Sequence, residues 1–123
     1  MSSNIPNEKS LELLKEISKW EEVKKTEMAY LQRITQNAMT IIDEYKEDNM
    51  YILSLYVYDA LTINSAYFAN EIMRKQRYNN RSSRPTSKEG IIKRVKVDAT
   101  FCEECVENFY GKLILDLQWD INH

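Results

Sequence analysis

Apolar residues recur at three- and four-residue steps through most of this chain, the spacing that lays one face of an α-helix along a core. Leu13, Leu14, Ile17, Trp20 and Val23 form the first series. It falters at Lys24, Lys25 and Thr26, then resumes as Leu31, Ile34, Ala38, Ile41 and Tyr45. One helix kinked near Thr26, or two helices with Thr26 capping the second, would give this pattern. The interrupted stripe favours two, over 8–25 and 27–47. Pro6 and Asn7 mark the first boundary, and Asn7 is a suitable N-cap.

Asp48 and Asn49 close the second series and offer caps for a third helix over 50–77. This is the most apolar part of the chain. Seventeen of the residues from Met50 to Met73 are apolar or aromatic, and between Asp48 and Glu71 the only formal charge is Asp59. A helix of this kind belongs at the centre of a bundle. Burying Tyr51, Leu55, Leu61 and Phe68 there would stabilise by about 1.5–3 kcal/mol each. A bilayer span needs about 20 apolar residues. Ser54, Asp59, Thr62, Asn64, Ser65 and Asn70 interrupt this run, and a mid-bilayer Asp costs about 2.5–3.5 kcal/mol. No membrane span is expected.

Residues 78–87 (YNNRSSRPTS) read as a polar loop, because Asn, Ser and Pro compete with or block helix hydrogen bonding. Thr86-Ser87-Lys88-Glu89 then fits a capping box, in which a Thr hydroxyl and a Glu three residues later each satisfy a free backbone N–H. Ile92, Val95, Ala99, Cys102, Val106, Phe109 and Leu113 continue at helical spacing. A fourth helix over 87–118 follows, despite Gly90 and Gly111. A short strand at 92–97 is the competing reading, but no other segment offers it a partner. The expected architecture is all-α: a compact bundle of about four helices in a single domain, 8–119. A disordered tail at 1–7 and a short tail at 120–123 flank it.

Composition agrees. Only two Gly and two Pro among 123 residues leave few tight turns for an all-β fold. A 43% apolar share is enough for a modest core and too high for a wholly disordered chain. Two cysteines and a polar start without a basic-then-apolar leader predict an intracellular protein, cytoplasmic or nuclear, with no disulfide framework.

Charge changes the picture more. Nine of the seventeen Lys and Arg residues fall between Arg74 and Lys96, a stretch with one acid, Glu89. The net charge of −2 thus hides a positive centre between two acidic flanks. The element comprises Arg74, Lys75, Arg77, Arg81, Arg84, Lys88, Lys93, Arg94 and Lys96, with Tyr78 as a contact aromatic. The bland alternative is that these cations solvate a loop and two helix ends, or pair with the protein's own acids. The functional reading is a docking surface for an acidic protein surface or larger complex. Nucleic acid is the alternative partner, since Lys and Arg that neutralise phosphates release condensed counterions. Lys93-Arg94-Val95-Lys96 also has the form of a short basic nuclear-import signal. Ser82, Ser83, Thr86 and Ser87 lie among the cations, where phosphorylation would cancel much of the field.

Other chemistry is thin. Cys102-Glu103-Glu104-Cys105 supplies two thiols where structural zinc takes four ligands, and the only histidine is His123. No cofactor or metal is expected. Asp59 alone is not a site. No glycine-rich phosphate loop and no nucleophile–histidine pair can be assembled, so no enzymatic activity is expected. Eight tyrosines and two tryptophans fit core packing first, but they also invite a partner or a homo-oligomer. The function expected is a non-enzymatic helical interaction protein, a small subunit or regulator. The alternative is a nucleic-acid-binding accessory protein using the same cations.

Overall fold

Three helix starts in this chain are set by short polar side chains that satisfy the free N–H groups of a first turn. Asn49 is extended (φ −80°, ψ 91°), and its Oδ1 accepts from Ile52 N at 3.1 Å. Ser87 Oγ accepts from Gly90 N at 3.1 Å. A computed structural model describes residues 8–78 and 85–123, the side chains of 76–78 excepted. Its elements are α1 (Glu8–Glu44), α2 (Met50–Asn64), α3 (Ala66–Tyr78) and α4 (Lys88–Asn122), with no strand among the described residues. The all-α bundle of four helices holds. The expected tail at 1–7 and most of the basic loop, 79–84, lie outside the described residues.

The helix count agrees with the expectation, but the cuts fall elsewhere. α1 passes through Thr26 without interruption. No Gly or Pro breaks the backbone there, and the stripe continues through half-buried Lys24, Glu27 and Met28 to buried Leu31. The expected helix over 50–77 is instead two. Ser65 is extended (φ −148°, ψ 123°) and ends α2. Its buried hydroxyl accepts from Phe68 N at 3.3 Å, so the same residue starts α3. Asn64 Nδ2 donates to the Ala60 carbonyl at 2.7 Å and satisfies a C-terminal acceptor of α2. The segment 92–97 is helical, and α4 runs past 118 into the expected tail. Its cap is Ser87, one residue after the expected Thr86, which puts Gly90 rather than Glu89 at the third helical position. A Cβ on Gly90 would sit 3.3 Å from both Pro85 Cβ and Ser87 Oγ, so glycine lets Pro85 pack close on the first turn.

The chain divides into two compact units. In one, residues 29–105, all four helices supply the core: Leu31, Ile34, Ala38 and Ile42 from α1, Leu53, Val57 and Leu61 from α2, Phe68 from α3, and Ile91, Val95, Ala99 and Cys102 from α4. The other joins the first part of α1 (residues 8–28) to the last part of α4 (residues 106–122). There Ile17, Val106, Tyr110 and Ile114 are buried, the Trp20 and Tyr110 rings lie 6.0 Å apart, and Lys24 Nζ pairs with Glu107 Oε2 at 2.7 Å.

Several expected core positions are corrected by this packing. Leu61 and Phe68 are fully buried, but Tyr51 (47% exposed) and Leu55 (43%) lie on an open face of α2. α2 is covered on one side only, so it is not a helix enclosed on most sides by neighbours. On α1, Ile42 is buried while Ile41 is half-buried and Leu14 exposed. On α4 the buried stripe includes Ile91 and Tyr110, where Ile92 and Phe109 were expected; Phe109 is 62% exposed.

Candidate cationic docking surface

The basic segment spans the end of α3 and the first half of α4, both within the unit of residues 29–105. Helical spacing sends its cations in different directions. Arg74 grips Glu71 one turn back as a two-pronged pair, with Nη2–Oε1 at 2.9 Å and Nε–Oε2 at 3.2 Å. Its guanidinium also lies 5.0 Å from the centre of the Phe101 ring. Lys75 Nζ forms an ion pair with Asp98 Oδ1, tying α3 to α4. Both acids are deep in the fold, with side chains 2% exposed at Glu71 and 1% at Asp98. Lys88 Nζ donates to the Tyr45 carbonyl at 2.6 Å, just beyond the end of α1. The last turn of α1 carries no cation of its own, so Lys88 supplies one at its negative pole.

Electrostatics follow from burial. Desolvation raises the Asp98 carboxyl pKa, although the Lys75 hydrogen bond and charge pull it down; Glu71 adds to the rise and Arg94 opposes it. Burial therefore outweighs the ion pair. The Arg94 guanidinium acts on Tyr58, whose phenol is raised by burial and partly lowered by that cation. Burial also pushes the Cys102 thiol up to about 12, with the neighbouring acids and Cys105 adding to it. Cys105 is raised for the same first reason. Both cysteines are held as protonated thiols, the opposite of a reactive pair.

Lys93 and Lys96 are the cations of the basic segment left facing outward on α4, and neither has a carboxylate partner among the described residues. They flank an open hollow of about 500 Å³ lined by Ile92, Val97 and Thr100 as well, chiefly apolar. A second hollow of about 460 Å³ shares Lys93 and Val97 and reaches Lys75, Arg94, Gly90 and Pro85. Such a surface suits a carboxylate beside an aliphatic side chain. Arg81 and Arg84, and the side chains of Arg77 and Tyr78, lie outside the described residues. The Lys93–Lys96 run is helical with Val95 in the core, so it is not presented as an extended peptide. Sequence reasoning missed Glu71 and Asp98 as partners. The three-residue spacing of Glu71 and Arg74 signals the first pair; nothing local signals the second, across 23 residues of chain.

Asp59 is exposed on α2. Among the described residues, no group of three or more His, Cys, Asp and Glu side chains gathers to hold a metal ion. None of the described helices is long and apolar enough to cross a membrane. Comparison with protein families, with curated proteins and with solved structures finds no match.

Proposed function

We propose that this is a non-enzymatic helical interaction protein, a small subunit or regulator acting in the cytoplasm or nucleus. It docks an acidic protein surface, or a larger complex presenting one, through the basic element at 74–96. The observation that carries this reading is the outward pair Lys93 and Lys96 beside an apolar hollow, without a carboxylate among the described residues to neutralise them. Arg74 and Lys75 contribute differently: the Lys75–Asp98 pair braces α3 against α4, and the Arg74–Glu71 pair stays within α3. A hydrocarbon-lined hollow favours a protein partner, because phosphate backbones offer no aliphatic side chain to fill it.

The test is affinity capture from the native cell with the wild-type chain and with Lys93→Glu/Lys96→Glu, each with and without nuclease. A protein that co-purifies through nuclease treatment and is lost with the double variant supports the reading. Nuclease-sensitive capture, together with binding to mixed-sequence DNA or RNA that weakens steeply above about 50 mM salt, replaces it with phosphate binding.

A further inference from the structure

The outer face of α4 changes sign along its length. Lys93 and Lys96 come first, Val97 and Thr100 occupy the middle, and Glu103 and Glu104 follow. At 100° per residue all of them fall within about 60° of Thr100 around the helix. Lys93, Lys96, Val97, Thr100 and Glu104 are exposed, and Glu103 is half-buried. We propose that this strip is a two-fold interface with a second copy of the chain, α4 against α4 in antiparallel register with the axis at Thr100. The proposal rests on the reading that the Lys93–Lys96 face docks a carboxylate-bearing protein surface, and it names that surface.

The register follows from charge. Lys96 and Glu104 stand four residues on either side of Thr100, about 6 Å along the helix in each direction. An antiparallel copy therefore sets Lys96 of each chain beside Glu104 of the other, twice by symmetry. Val97 and Glu104, seven residues apart, lie on one flank of the strip, so Val97 of each chain meets the aliphatic stem of Glu104 of the other. The hollow lined by Ile92, Lys96, Val97 and Thr100 opens on this same strip, at the level that Glu104 of the copy reaches, and receives its aliphatic stem. Thr100 brings no unmet donor to the contact, because its hydroxyl donates to the Lys96 carbonyl at 3.0 Å. Antiparallel pairing also aligns the helix dipoles favourably. A parallel pair would set Lys on Lys and Glu on Glu. A polyanion would satisfy the lysines and be repelled by Glu103 and Glu104 at the other end. Self-pairing satisfies both ends.

Sedimentation equilibrium on the full chain tests this, over about 10–300 µM protein and at about 50 and 500 mM salt. The wild type should form a dimer that weakens at the higher salt. Lys93→Glu/Lys96→Glu and Glu103→Lys/Glu104→Lys should each dissociate by about tenfold or more, while a mixture of the two forms a one-to-one heterodimer. Thr100→Lys, which puts two cations on the axis, should also be monomeric, with helicity followed by circular dichroism in every case. A wild type that stays monomeric throughout, or reversed variants that ignore one another, overturns the proposal. If the dimer fails while Lys93→Glu/Lys96→Glu still loses a captured acidic protein, only self-pairing falls. If capture is also unaffected, the docking reading falls with it.

Discussion

Lys75 and Lys96 belong to one basic run in the sequence and to two different environments in the fold. Lys75 lies one-third exposed against a fully buried Asp98, at the seam between α3 and α4. Lys96 stands in solvent on the opposite side of α4, beside an apolar hollow. The comparison shows that a concentration of like charge along a chain is not yet a patch. Helical periodicity divides it into inner cations that hold helices together and outer ones that remain available. Energetically the two sets differ in kind. The inner pairs involve desolvated acids, so their loss should be felt in folding; the outer lysines are solvated, so their loss should leave folding nearly unchanged.

The largest effect expected on this comparison is from Lys75→Met. It leaves Asp98 buried without its cation, a change that typically costs about 3–5 kcal/mol. Partial exposure of Lys75 screens the pair and places the loss near the lower end, about 3 kcal/mol, read from urea unfolding. Lys96→Met should leave the unfolding midpoint unchanged. Next, Lys75→Met/Asp98→Leu should recover most of that loss and come within about 1 kcal/mol of wild type, because burial already outweighs the ion pair at Asp98. A double-mutant cycle measures the coupling.

A smaller effect concerns pH. The folded Asp98 pKa lies above its ordinary 3.8, so the folded state holds that proton more tightly than the unfolded chain. The associated stability is fully present below 3.8 and is lost as pH rises through the raised value. Asp98→Asn should remove this slope, so the difference between variant and wild type, measured by denaturation at stepped pH, should grow in favour of the variant as pH rises across the window. The smallest effect is chemical. Cys102, with its pKa near 12, should resist alkylation at neutral pH until the protein unfolds, and half-buried Cys105 should react slowly but sooner. Mass spectrometry of labelled peptides distinguishes the two.

Particular residues show where sequence reasoning reaches and where it stops. Asn49 as the start of α2, and the start of α4 to within one residue, are local matters of side-chain oxygen and free N–H, and they could be read directly. Choosing Ser87 over Thr86 could not, since both carry the same hydroxyl; the fit of Pro85 against Gly90 belongs to the folded turn. The break at Ser65 has a local trace in the pair Asn64-Ser65, but the apolar residues that resume at Ala66 hid it. α1 shows the converse. The lapse at Lys24–Thr26 looked like a boundary because Lys counts as polar, whereas its aliphatic stem continues the half-buried stripe. The basic element was legible as a segment, 74–96, but not as the particular side chains that face outward.

From the sequence alone came the all-α class, the starts of α2 and α4 to within a residue and the basic character of the centre, because propensity, periodicity and capping act over a few residues. The structure decided which acids meet which cations. Asp98 finds Lys75 only when α3 and α4 lie side by side, and an ion pair spanning 23 residues depends on helix packing rather than on spacing. That same packing left Lys93 and Lys96 outside, and with them the surface on which a partner is expected.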